Sequence, residues 1–167
     1  MSTPDPVPNA EASARQVFMQ RLYLKDVSLE MPNAPAIFSK EVSPQIEVQV
    51  GTSIDPLGSN LFQVVLQVTV TAKIAEETAF LVEVHQAGVF HLSNFGNDGE
   101  IQGVLAAYCP SVLLPFAREA VANLIQRTGY PPVMLQPINF EALYVEHVNR
   151  ARAEAEANGN AGGATVQ

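Results

Sequence analysis

A chain of 167 residues with 47% apolar content is long enough for one domain with its own hydrophobic core. A net charge of −8, with no run of Lys and Arg, excludes a phosphate-tracking surface for nucleic acid and disfavours anionic lipid. Charged residues are only 16% of the chain, so much of the surface is openly apolar or covered by another subunit.

Residues 1–15 carry Pro4, Pro6 and Pro8 among small polar residues and are predicted to form a disordered arm. No basic start followed by an apolar stretch marks a secretion signal there. The lone Cys109 cannot close an internal disulfide, which fits a reducing compartment. The most apolar segment, Val104 to Ala117, is interrupted by two prolines and is shorter than the ~20 residues of a membrane span. These features predict a soluble cytoplasmic protein.

In Val17 to Glu30 the apolar residues change phase: Leu22 and Leu24 are even-numbered, Val27 and Leu29 odd. A bulge near Lys25 would produce this, turning Asp26, Ser28 and Glu30 away from Val27 and Leu29. Gln45 to Ile54 alternates weakly through Ile46, Val48 and Val50. Leu61 to Lys73 alternates cleanly, with Phe62, Val64, Leu66, Val68, Val70 and Ala72 on one face. Ala79 to Leu92 repeats the pattern: Phe80, Val82, Val84 and Phe90 on one side, Leu81, Glu83, His85 and His91 on the other. The short turn Ala75 to Thr78 makes the last two an antiparallel hairpin. The sum is a four-stranded sheet with one apolar face and one polar face edged by carboxylates.

Two helices follow. The first is predicted from Pro110 to about Arg127, stopped by Gly129 and kinked at Pro115. Its apolar residues, Leu113, Leu114, Phe116, Ala117, Ala120, Val121, Leu124 and Ile125, cover an arc wider than one sheet face requires, which points to a partner subunit. The second begins near Asn139, with Phe140, Leu143, Tyr144, His147 and Val148 on one stripe. Its histidine is expected to pack in the core. The domain thus spans residues 16–152, and the Ala-, Gly- and Asn-rich 153–167 is expected to be a flexible tail.

Signals of catalysis are absent from the sequence: no phosphate-binding Gly loop and no Gly-x-Ser-x-Gly elbow. His85 and His91, six residues apart on one strand, are separated by ~20 Å and cannot ligate one metal. Cys109 is expected to be a buried structural thiol. The carboxylates Asp26, Glu30 and Glu83 fit either a solvated sheet face or a docking patch for a basic partner. The apolar loop Tyr130 to Ile138 is either a lid over the core or the wall of a binding groove.

Four segments carry a family resemblance. Lys25–Pro35 (KDVSLEMPNAP) resembles the first-strand signature of the SecB protein-export chaperones. Val68–Ala72 (VTVTA) with Glu76–Val84 (EETAFLVEV) is similar to their central hairpin, Ala107–Glu119 (AYCPSVLLPFARE) to their long-helix start, and Pro137–Tyr144 (PINFEALY) to their last-helix entry. The resemblance runs from about Phe18 to Val148, in the family's order.

It implies an α+β subunit in which the four-stranded antiparallel sheet carries two C-terminal helices on one face, assembled as a dimer of dimers. It further implies an ATP-independent, cofactor-free holdase that delivers unfolded precursor proteins to the SecA translocation motor. The motor-docking positions match Asp26, Glu30, Leu81 and Glu83. Those of the subunit interface match Val82, Val84 and Gln86, to which the helix arc adds Leu113, Phe116, Val121 and Leu124. Many relatives carry Trp where this chain has Val42, so the client groove is assigned instead to Phe38, Leu135, Ile138 and Phe140. Two alternatives remain from sequence: a SecB-like chaperone of another client system, such as a toxin–antitoxin pair, and an enzyme of unknown type. A chain without fused segments and with an intact acidic face favours export.

Overall fold

The computed structural model describes residues 14–161; most of the predicted N-terminal arm, and the tail beyond Ala161, lie outside the described residues. Four strands, β1 (Gln16–Glu30), β2 (Gln45–Gly58), β3 (Leu61–Ile74) and β4 (Glu77–Ser93), form one antiparallel sheet in the order β1-β4-β3-β2. The chain crosses from one sheet edge to the other through a 3-10 turn, Ala36–Ser39. Ile37, fully buried, pins that crossover to the core.

Alternation works as predicted. In β3 the side chains of Val64, Leu66, Val68, Val70 and Ala72 are all buried, and in β4 those of Phe80, Val82, Val84 and Phe90. The register of β1 against β4 shifts between Leu24 and Asp26, where the phase change had placed a bulge. A second shift, between Met19 and Arg21, left no comparable mark in the sequence. Two tight turns close the hairpins. Ser59 and Asn60, at φ 51° and 60°, have the paired positive φ of a type I′ turn, and Ala75 takes φ 55° between β3 and β4.

The first helix differs from expectation. It begins at Asp98, not Pro110, and runs unbroken through Pro115 to Gln126 as α1 (Asp98–Gln126). Asn97 caps it, its side-chain oxygen accepting from the Glu100 amide at 3.0 Å. Val104–Tyr108 is a π turn in which the Cys109 N–H reaches back to the Val104 carbonyl. Because Pro110 has no N–H to give, a wider turn just before it lets the helix continue. The second helix, α2 (Phe140–Ala161), starts where predicted, with Asn139 Oδ1 accepting from the Ala142 amide at 3.0 Å, and extends beyond Arg152 into the composition-defined tail.

Helix α1 packs on β4 and β3, and α2 packs on the π turn of α1. Both helices therefore lie on the apolar face, and the other sheet face is left open. The core is the layer between sheet and α1: Phe80, Phe90, Leu66 and Val68 against Leu105, Leu113, Ala117, Val121 and Ile125. At Gly88 the helix comes so close that an added Cβ would lie 2.7 Å from Phe90 Cε2 and 3.1 Å from Leu113 Cδ2. Both side chains are buried and cannot swing away. Gly88→Ala should therefore cost about 1–3 kcal/mol of stability by overpacking, read as a lower urea midpoint at unchanged m-value.

Cys109 sits in this layer with no exposed surface, and burial pushes its thiol up to about 12. The unfolded chain ionises this group near 9.0, so its contribution to stability is complete below that pH. It is lost as pH rises from there toward about 12. Cys109→Ala should flatten the alkaline decline of the urea midpoint relative to the parent chain, and the native thiol should resist alkylation until the protein unfolds.

Candidate functional site

Paired residues of neighbouring strands share a face, so the register gives the open face row by row. Glu30, Leu81, Thr71 and Glu47 form one row; Ser28, Glu83, Thr69 and Gln49 the next; Asp26, His85, Gln67 and Gly51 the third. All four docking candidates, Asp26, Glu30, Leu81 and Glu83, thus fall within three adjacent rows on β1 and β4. Asp26 and Glu30 are exposed, Leu81 is half-buried, and the Glu83 side chain is 47% exposed. Among the described residues neither Asp26 nor Glu30 is in an ion pair, and the partner of Glu83 is a histidine, His85 Nε2 at 3.9 Å. Among the described residues, then, no Lys or Arg is ion-paired with the carboxylates of the patch. Beyond it, Tyr23 Oη donates to Gln63 Oε1 at 2.5 Å and Gln63 Nε2 to Asp55 at 2.8 Å, a polar strip tying β1, β3 and β2 together.

The apolar side of the molecule holds open grooves around the start of α2. One, of about 860 Å³, is walled by Phe95, Val104, Ala107, Tyr108, Ile138, Phe140 and Tyr144. A second, of about 640 Å³, lies between α2 and β2 and is walled by Val50, Ile54, Ala106, Phe140, Leu143 and Tyr144. Phe140 and Tyr144 belong to both, so the two adjoin at the helix start. On β2 the grooves adjoin Ile46 and Val48, which are about two-fifths exposed although they point to the apolar side of the sheet.

The four groove candidates divide. Ile138 and Phe140 line the larger groove, Phe140 with its side chain almost wholly buried. Leu135 is buried in the core, so at that position the inter-helix loop is a lid. Phe38 lines neither groove and stacks on Tyr130 at 5.8 Å, with 53% of its surface exposed. His147, expected in the core, is exposed and lines the smaller groove. Tyr108 and Val145 are exposed groove residues that sequence reasoning missed. With the helix start placed at Pro110, Tyr108 had no helical face to be assigned to.

The interface candidates also divide. Val82 and Val84 of β4, beneath α1, and Leu113 and Val121 on the inner side of α1 have no exposed surface in the isolated subunit, so they could bear on a subunit interface only through the packing of this layer. Phe116 and Leu124, on the outer side of α1, join Leu22, Leu24 and Val27 of β1 around a shallow apolar depression of about 440 Å³. Gln86 lies at its floor, its amide donating to the Tyr23 carbonyl at 2.9 Å. Leu24 is 47%, Val27 40% and Phe116 39% exposed. Helix α1 is long and apolar enough in composition to cross a membrane, yet it is packed on a sheet, with only 39% of its most apolar stretch buried. Soluble proteins rarely leave an apolar face of this kind uncovered unless it serves association.

Among the described residues no three His, Cys, Asp or Glu side chains are grouped to hold a metal. The sheet and the helix order are those implied by the sequence resemblance, and direct comparison decides the matter. The family model for the preprotein translocase subunit SecB matches residues 10–151. The chain belongs to the SecB family. A protein-export protein SecB of Methylococcus capsulatus is 46% identical over 142 residues, covering 85% of this chain and 91% of the relative. That of Dechloromonas aromatica is 45% identical over 148 residues, covering 87% and 97%. Among solved structures, a SecB-like chaperone of Mycobacterium tuberculosis, bound to a ChAD peptide from an antitoxin, superposes at a TM-score of 0.61. It covers 73% of this chain and 90% of its own at 16% identity, a likeness that establishes the fold alone. The SecB family is one of protein-export chaperones.

Proposed function

We propose that this protein works in the cytosol as an ATP-independent holdase, keeping precursor polypeptides unfolded and passing them to the SecA translocation motor. The observation that carries the reading is the placement of two unlike surfaces on opposite sides of one sheet. An acidic patch whose carboxylates have no Lys or Arg partner among the described residues occupies the open face, and two adjoining apolar-walled grooves flank α2 on the other. Client and motor can therefore be held at once. In this reading Asp26, Glu30 and Glu83 attract a basic segment of the motor, and Leu81 adds a small apolar contact. An extended client lays alternate side chains against Ile138, Phe140, Tyr108 and Tyr144, with Phe38 as a separate contact. It can also pair its backbone with the free edge of β2. The working unit is a tetramer of two dimers.

Holding is then a competition by mass action with the client's own folding, so selectivity for unfolded chains is its test. A slow-folding precursor titrated into the protein without nucleotide should bind when unfolded and show at least tenfold weaker binding once folded. Equal affinity for the two forms would sink the holdase reading.

A further inference from the structure

We infer that the larger groove beside α2 has a resident occupant, the chain's own residues 1–13, and that a client enters by displacing them. The displacement rests on the holdase reading; the docking of the arm does not. What carries the inference is where the arm is rooted, since residues 1–13 themselves lie outside the described residues. The chain enters β1 at the mouth of this groove, held by side chains distant in sequence. Asn94 donates to the Ala14 carbonyl at 3.0 Å, and Arg15 Nη2 donates to Glu100 Oε1 at 2.8 Å. Glu100 is itself set by the Gly96 amide, which donates to its other oxygen at 3.2 Å. Arg15 and Glu100 both line the groove, so the arm starts at its mouth.

Reach and composition single out this segment. Along α1 the groove wall runs from Glu100 to Ser111, ~17 Å at about 1.5 Å per residue. From Ala14 back to Pro8 the chain spans ~19 Å at the ~3.1 Å per residue of a polyproline II strand. Pro4, Pro6 and Pro8 therefore reach the Tyr108 end of the wall while the chain stays held at Ala14. Proline-rich strands dock in aromatic-lined grooves because their conformation is preformed and little entropy is lost on binding. Tyr108 and Val145, 53% and 51% exposed, give the proline rings and Val7 an apolar wall to pack on. Charge adds nothing, since the arm brings Asp5 and Glu11 to a rim that carries Glu100 and Glu141. The hold is weak in itself and depends on the tether. A short tether sets an effective concentration in the millimolar range, so a segment of only millimolar affinity fills its groove half of the time or more. Such an arm covers apolar surface and still yields to a longer unfolded chain.

The chain has no tryptophan, so Tyr108→Trp supplies a single quencher in the groove and Tyr23→Trp one on the open face. Each is made in the full chain with Val7→Cys, and that thiol carries a fluorophore that tryptophan quenches on contact; the buried Cys109 does not take the label. Emission should be roughly twofold lower or more with Tyr108→Trp than with Tyr23→Trp, because half or more of the arms are docked. Pro4→Gly, Pro6→Gly and Pro8→Gly together should abolish the difference. The slow-folding precursor, unfolded and in saturating amount, should restore the emission. The triple Gly variant should bind that precursor roughly two- to fivefold more tightly, the gain from freeing a groove that is about half to four-fifths filled. Equal emission from the two tryptophan variants would overturn the inference. So would quenching confined to mixed assemblies in which label and tryptophan sit on different chains, because the occupant would then be a second copy's arm. If the arm were quenched as expected and the unfolded precursor did not restore emission, the docking would stand and the holdase reading would fail instead.

Discussion

Replacing Asp26, Glu30 and Glu83 together by Lys should weaken binding of the SecA motor tenfold or more while leaving client binding and assembly intact. Each exposed pair contributes only ~0.2–1 kcal/mol, so single replacements should be mild. Reversal removes three such contributions and substitutes repulsion at each position, and tenfold corresponds to about 1.4 kcal/mol. The geometry makes the effects additive in sign. The three carboxylates fall in adjacent rows on two hydrogen-bonded strands, so one basic segment meets all of them. They also point away from the core, so the sheet has no reason to rearrange. Added salt should weaken the docking of the parent chain in the same direction and have a smaller or opposite influence on the variant. Calorimetric titration of the motor into both chains decides it; an unchanged dissociation constant would make these carboxylates an ordinary solvated sheet face.

What the sequence made legible was whatever obeys a period. The inward side of strands β3 and β4 is buried from Val64 to Ala72 and at Phe80, Val82, Val84 and Phe90, as their alternation required, although Val65, Ala79 and Ala87 of the other face are buried as well. The Leu24-to-Val27 phase change carried over to a real register shift. The acidic patch followed from the same rule, since Asp26, Glu30, Leu81 and Glu83 had only to be counted in steps of two. Three kinds of information are not periodic and were lost. Gly99, Gly103 and Pro110 hid the first turns of α1, although Asn97 and Glu100 stand at capping-box spacing. The π turn that accommodates Pro110 has no simple residue pattern. Apolar character also does not say which neighbour buries a side chain. Val82, Val84, Leu113 and Val121 are as apolar as Phe116 and Leu124, but the first four meet the sheet–helix layer of their own subunit and the last two do not. Only the rotation of α1 on the sheet separates these sets.

That separation gives the assembly prediction its target. Leu24 and Phe116, on β1 and α1, are 47% and 39% exposed in the isolated subunit and face the same depression. The parent chain should run in light scattering near four times its 18.0 kDa mass. The double variant Leu24→Asp, Phe116→Asp should fall below that mass at micromolar concentration. In an assembly of closed symmetry each contact occurs twice, so every interface of this patch would have to bury four added carboxylates against the two Arg127 side chains that line it. Unpaired buried charge costs several kcal/mol even after relaxation, and about 4 kcal/mol is already a thousandfold in the dissociation constant. The subunit should nevertheless stay folded. Both positions reach water in the isolated chain, and the core beneath them, from Leu113 to Ile125 against β3 and β4, is untouched. An unchanged far-ultraviolet circular dichroism spectrum would establish this. The same changes made at Leu113 and Val121 should unfold the subunit instead, because those side chains have no exposed surface. If the Leu24, Phe116 double variant remained a tetramer with parent-like affinity, the subunits would have to meet through some other face, and the uncovered side of α1 would belong to clients.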